Sequence, residues 1–125
     1  MAEQNIALVG LGRIGSAFLQ EISNKRERGV NVLLAAEVSD TPGKAQAIKA
    51  GIRIATLQEI TASGTRLDII FDLTGNPEVR KQLREGLAMH NNQHTVIAPE
   101  SVARLIWSLI SDEKLLEIQG RNTGY

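Results

Sequence analysis

Apolar positions along the chain fall into two kinds of run that alternate. Ile6-Ala7-Leu8-Val9, Val30 to Ala36, Leu67 to Leu73 and His94 to Ala98 are short, nearly continuous apolar blocks. Such blocks are typical of strands buried on both faces of a parallel sheet. Ile52-Arg53-Ile54-Ala55 alternates and predicts a further short strand. Between the blocks, apolar residues step at helical spacing. Ile14, Phe18 and Ile22 predict a helix from Arg13 to Lys25, closed by the charged turn Lys25 to Gly29. Lys44–Ala50 is a short alanine-rich helix stopped by Gly51, and Leu57–Ala62 is one or two helical turns. Pro77–Met89 starts on a proline suited to a first helical turn. The last helix opens at Pro99 and Glu100. Val102, Leu105, Ile106, Leu109 and Ile110 give it one broad apolar face predicted to dock on the sheet, with Trp107 off that stripe. Leu115, Leu116 and Ile118 extend the apolar pattern beyond it.

Strands alternating with helices imply parallel pairing, right-handed crossovers and helices on both faces. The expected architecture is α/β: a doubly wound parallel five-stranded sheet in the order 3-2-1-4-5, filling residues 1–119, with 120–125 as a tail. Its ligand crevice lies where the first and fourth strands diverge, at their carboxyl ends. Gly10–Gly15 and Thr74-Gly75-Asn76-Pro77 should then face each other across it.

Chemistry concentrates where the first strand meets the first helix. Gly10-Leu11-Gly12-Arg13-Ile14-Gly15 has the spacing G-x-G-x-x-G, and Glu37 closes the second strand about 20 residues further on, as a dinucleotide site requires. Gly10 allows a sharp turn off the strand, Gly12 lets a pyrophosphate approach the backbone, and Gly15 lets the helix lie against the sheet. N–H groups of the first turn, around Arg13, Ile14 and Gly15, face the phosphates with the helix dipole behind them. Arg13 acts either through its side chain or only through its N–H. A carboxylate at Glu37 accepts hydrogen bonds from the adenosine ribose and repels a 2′-phosphate, which favours NAD over NADP. Asp40 is the alternative acid, but it lies past the strand end. Thr74 and Asn76 offer polar groups across the crevice and Gly75 allows close approach; the other reading of these residues is a plain strand-to-helix turn.

Composition narrows the remaining possibilities. At 125 residues the chain has room for one domain and not for a separate substrate domain. Fourteen basic and fourteen acidic residues cancel, so nothing points to nucleic acid or an acidic membrane surface. The absence of cysteine excludes disulfides, thiolate metal sites and a cysteine nucleophile. Met1 runs within a few residues into a core strand, and no apolar run is long enough to span a bilayer, so a cytoplasmic location is expected. His90 and His94 have a metal-ligand spacing, but Asn91-Asn92 interrupts a shared helix face and two solvated loop histidines are expected. Asp72 is read as a hydrogen-bonded strand-end carboxylate, with a catalytic or ribose-binding role as the alternative. Surplus apolar surface on the last helix predicts a homodimer through it, with the start of a signalling coiled coil or plain helix packing as the alternatives.

Residues 5 to about 110 resemble the NAD-binding Rossmann domain of the homoserine, aspartate and glucose–fructose oxidoreductase group. The matching residues are the glycine turn, Glu37 and the stretch from Asp68 to Val79 that contains Thr-Gly-Asn-Pro-Glu-Val. A closer resemblance is to short Rossmann modules of bacterial sensor proteins, carried by that stretch and by Ser101-Val102-Ala103-Arg104-Leu105-Ile106-Trp107. The resemblance implies a dinucleotide-binding module that reports to a downstream signalling domain. It departs from the sugar dehydrogenases, whose Glu-Lys-Pro is here Ile97-Ala98-Pro99-Glu100 without a lysine, and a module lacking that family's substrate domain is expected. Two further readings stay open: the cofactor half of an NAD-dependent oxidoreductase, and a domain for another adenine ligand such as coenzyme A or S-adenosylmethionine.

Overall fold

The structure, a computed structural model, describes residues 3–110. Five strands form one parallel sheet: β1 (Gln4–Val9), β2 (Val30–Ala36), β3 (Arg53–Ile54), β4 (Ile69–Asp72) and β5 (Val96–Pro99). Their order across the sheet is β3-β2-β1-β4-β5, as the alternation of runs predicts. Helices α1 (Arg13–Ile22), α2 (Pro42–Lys49), α3 (Leu57–Thr61), α4 (Pro77–Met89) and α5 (Glu100–Ile110) connect and cover the strands.

Alternate residues of each strand feed two separate cores. Ile6, Leu8, Ala35 and Phe71 point to one face, where Leu19 and Phe18 of α1, Ala47 of α2 and Ala103 of α5 cover them. Phe18 and Phe71 pack as a tilted pair with ring centroids 5.0 Å apart, a favoured aromatic geometry. Ala7, Val9, Leu34 and Ile70 point to the other face, beneath Ile60 of α3 and Leu83 and Leu87 of α4.

Element ends follow local hydrogen bonding. The first helix was expected to reach Lys25, but it ends at Ile22 and tightens into a 3₁₀ turn over Ser23–Arg28. Ser23 Oγ and Asn24 Nδ2 both donate to the Gln20 carbonyl, so short polar side chains compete for the backbone there. β5 starts two residues later than the apolar pattern suggests. The N–H groups of His94 and Thr95 both donate to Asn92 Oδ1, which keeps these residues out of the ladder. Thr56 caps α3 in a reciprocal capping box with Glu59. The backbone N–H of Thr56 above all holds the Glu59 carboxyl below the usual range, with Arg53 adding to it.

The last helix corrects its predicted orientation. Ala103 and Trp107 are its buried residues, with Ile106 partly buried beside them. Trp107 packs on Ile14 and Ala17 of α1, while Leu105 and Leu109 are 60% and 75% exposed. Val102, Leu105, Leu109 and Ile110 of the aliphatic stripe therefore face outward, Ile106 docks as predicted, and the tryptophan faces in. Ala103 explains the reversal: a small residue lets the helix approach the sheet beside Ala98, and the indole one turn on fills the space over α1. Leu115, Leu116, Ile118 and the 120–125 tail lie outside the described residues.

His94 is held at the opposite end of the sheet from the glycine turn. Its Nε2 lies 2.8 Å from Asp68 Oδ1, while Asp68 Oδ2 accepts from the Asn5 N–H. That N–H, and then His94, keep the Asp68 carboxyl below the usual range. His90 is the residue that closes α4. Among the described residues, no three His, Asp or Glu side chains come together as metal ligands would.

Candidate functional site

The site is built on the turn from β1 into α1. Gly10 has φ +96°, a left-handed conformation that a residue with a side chain rarely adopts. A Cβ there would also lie 3.0 Å from Thr74 Cγ2, so the ends of β1 and β4 touch at this point. At Gly15 a Cβ would lie 2.0 Å from the Gly10 carbonyl oxygen. The missing side chain is thus what lets α1 dock directly under the turn.

Leu11 is the anchor between these glycines. Its side chain is fully buried, and its backbone is bonded on both sides. Leu11 N–H donates to Glu37 Oε1 at 2.7 Å. Its carbonyl accepts from Ser16 Oγ at 3.0 Å and from Thr41 Oγ1 at 2.8 Å. Thr41 also caps α2 by accepting from the Lys44 N–H. Glu37 Oε2 accepts from the Ser39 N–H at 3.1 Å. Glu37 therefore sits at the glycine turn, with one carboxylate oxygen on each side of the gap between the two loops. By contrast, α1 starts on Gly12 with no side-chain cap, whereas α2, α3 and α4 are capped by Thr41, Thr56 and Asn76. The first-turn N–H groups of α1 are thus left without a side-chain cap.

Beside Glu37 opens a cleft of about 480 Å³. Its walls include Val9, Gly10, Ala36, Ile54, Leu57, Thr74 and Val79, with Val38 at its margin. Val38 is 98% exposed, an apolar side chain left in water beside an apolar cleft. Among the described residues, the titratable groups lining the cleft are Glu37 and Glu59, and Glu59 is held by its capping box and by Arg53.

The candidate residues divide between places. Gly10, Glu37 and Thr74 share the cleft. Arg13 is exposed at the head of α1, and Ile14 is buried under Trp107, so its side chain faces away from the cleft. Gly75 and Asn76 line a separate hollow with Pro77, Arg80 and Arg84. The Thr74 hydroxyl donates to Asp72 Oδ1 at 2.7 Å and accepts from the Asn76 N–H. Asn76 Oδ1 accepts from the Glu78 N–H as the cap of α4. Asp72 is fully buried, and Arg80 Nε donates to its Oδ2 at 2.9 Å. It is a hydrogen-bonded strand-end carboxylate. Ser16 and Thr41, which hold Leu11, and Arg80, which holds Asp72, carry no sequence signal of their own; the Thr-Pro pair at 41–42 marks a helix start and nothing more.

No protein-family model matches the chain, and no curated protein does. Solved structures do. Homoserine dehydrogenase from S. aureus superimposes with a TM-score of 0.58 over 94% of this chain and 30% of that one, at 23% identity. Homoserine dehydrogenase from Thiobacillus denitrificans gives 0.53 over 88% and 26%, at 21% identity. Saccharopine dehydrogenase from Saccharomyces cerevisiae gives 0.54 over 75% and 21%, at 13% identity. The chain has a Rossmann-like fold. It spans about 30% of the length of these homoserine dehydrogenases, so the shared part is the sheet with its helices.

Proposed function

We infer that the chain is an NAD-binding Rossmann module that reports on the nucleotide. The observation that carries this reading is the placement of Glu37, whose carboxylate lies 2.7 Å from the Leu11 N–H within the glycine turn. A ribose diol in the cleft would meet that carboxylate, the pyrophosphate would reach the uncapped start of α1, and the adenine would cover Val38. The dehydrogenase names of the solved neighbours support a nicotinamide dinucleotide. The negative charge of Glu37 supports NAD over NADP.

Support for a reporting role comes from what lines the cleft. Hydride transfer needs a bound second reactant and usually a proton donor or acceptor. Glu59, which lines the cleft, is committed to structural hydrogen bonds, as is the buried Asp72, near Thr74 in the chain. The competing reading, the cofactor half of an oxidoreductase, rests on the larger size of the solved neighbours.

Glu37→Gln separates the two jobs of this residue, because its amide oxygen can still accept from Leu11 while its charge is gone. By calorimetric titration with NAD, NADH, NADP and coenzyme A, the wild type should bind NAD or NADH best. The variant should narrow the NAD-to-NADP ratio by about tenfold, the equivalent of about 1.4 kcal/mol. Coenzyme A binding best, or no change in the ratio, would reject the assignment.

Self-association through the outward face of α5 belongs to the same reading. Leu105 and Leu109 are the exposed apolar residues one turn apart that a second copy would cover. Light scattering should give twice the monomer mass at micromolar concentration, and Leu105→Glu with Leu109→Glu should return it to one. A monomer at every concentration would remove this part.

A further inference from the structure

We propose that Arg80 and Arg84 form a binding site for the carboxylate or phosphate of a small anionic ligand, on the β5 side of the strand ends. Arg80 lies one turn before Arg84 on α4, and both line a hollow of about 260 Å³ closed by Gly75, Asn76 and Pro77. They also line a longer groove of about 510 Å³ that runs on to Asn92, Thr95 and Pro99. Two features make the pair more than exposed basic residues.

First, Arg80 is fixed. Its Nε donates to Asp72 Oδ2 at 2.9 Å, and that carboxylate is 0% exposed, whereas the Arg80 side chain keeps 35% of its surface. One edge of the guanidinium is therefore anchored in the core, and its terminal nitrogens remain for a partner in the hollow. A planar, pre-oriented guanidinium loses little freedom when it takes an oxyanion through two parallel hydrogen bonds.

Second, nothing on α4 neutralises the pair. Like charges four apart on a helix repel, and none of the residues three or four away from either arginine is acidic: Asn76, Pro77, Lys81, Leu83, Leu87 and Ala88. The acids of this helix, Glu78 and Glu85, stand two before Arg80 and one after Arg84, positions that do not face them. Arg84 forms no ion pair among the described residues. Asp72 balances Arg80 from β4, so the charge that an anion between the two guanidinium groups would match is that of Arg84.

The turn Thr74–Asn76 divides this hollow from the cleft, since Thr74 lines the cleft and Gly75 and Asn76 line the hollow. Anion binding stands without the nucleotide. Only the further statement, that the anion lies beyond the nicotinamide end of a bound dinucleotide, rests on the reading above.

The test is a titration of the full chain with inorganic phosphate and, separately, with succinate, followed by NMR of the arginine Nε–Hε signals and by calorimetry. Saturable binding of either anion is expected to shift the Arg80 signal. Arg84→Met should weaken that binding at least tenfold, and Arg84→Lys should recover part of it. Tighter phosphate would mark a phosphorylated ligand, tighter succinate a carboxylic acid. NADH affinity should not change in Arg84→Met, so loss of anion binding is read apart from the nucleotide cleft. Absence of saturable binding by both anions, or binding that Arg84→Met leaves intact, overturns the site.

Discussion

Arg80→Leu should cost the fold about 3 kcal/mol, the low end for removing one partner of a buried ion pair. Asp72 sits at the end of β4 with no exposed surface. Arg80 is the positive group on it, and without Arg80 its charge is left in the core. Thr74 still donates twice to Oδ1, which is why the cost falls at the low end. The loss should appear in urea denaturation as a lower midpoint with an unchanged slope. Adding Asp72→Asn to Arg80→Leu should restore most of the stability, because the amide keeps the Thr74 contacts and removes the unpaired charge. If the single variant loses less than 1 kcal/mol, solvent reaches Asp72 more freely than its burial indicates.

Gly15→Ala is expected to be nearly as damaging, although alanine is the better helix former by about 1 kcal/mol. The added carbon would lie 2.0 Å from the Gly10 oxygen and 2.9 Å from its carbonyl carbon. Both are backbone atoms, so no side chain can swing aside. The turn is also pinned, by Gly10 N–H on the Ala36 carbonyl and by the three bonds to Leu11. Overpacking of this kind costs about 3 kcal/mol, so the net loss should be about 2 kcal/mol. Relief requires α1 to move away from the turn, which carries the first-turn N–H groups with it. Nucleotide titration should therefore show binding lost, or weakened at least a hundredfold, in a variant that is still folded by circular dichroism. Wild-type affinity in Gly15→Ala would mean that the phosphates are held elsewhere.

Much of this was legible in the order of residues. Strand order followed from alternation and handedness, because a parallel sheet with short connections has few ways to close. Glu37 was legible by distance from Gly15, since the length of one helix and one strand is nearly fixed. The burial of α5 was not legible. Val102, Leu105 and Leu109 give a cleaner helical stripe than Ala103, Ile106 and Trp107, and the choice between them depends on how closely the helix approaches Ala98 and Ile14, which only the assembled sheet determines. The Asp72–Arg80 pair was hidden for a related reason. Eight residues and a turn separate the two, and the contact exists only once α4 folds back over the end of β4. Thr74 and Asn76 show a third limit: their types suit either a ligand or a turn, and the structure gives their oxygens to Asp72 and to the start of α4.

The side of the sheet on which α5 lies has a consequence for how the sheet can grow. α1 and α2 cover the same face as α5, and they connect strands that step from the centre toward β3. α4 connects β4 to β5 in the opposite direction and lies on the other face. A strand that followed α5 and joined the free edge of β5 would complete a left-handed crossover, which occurs in only about one in fifty such connections. The hand of the connection therefore disfavours adding a strand at that edge directly after α5.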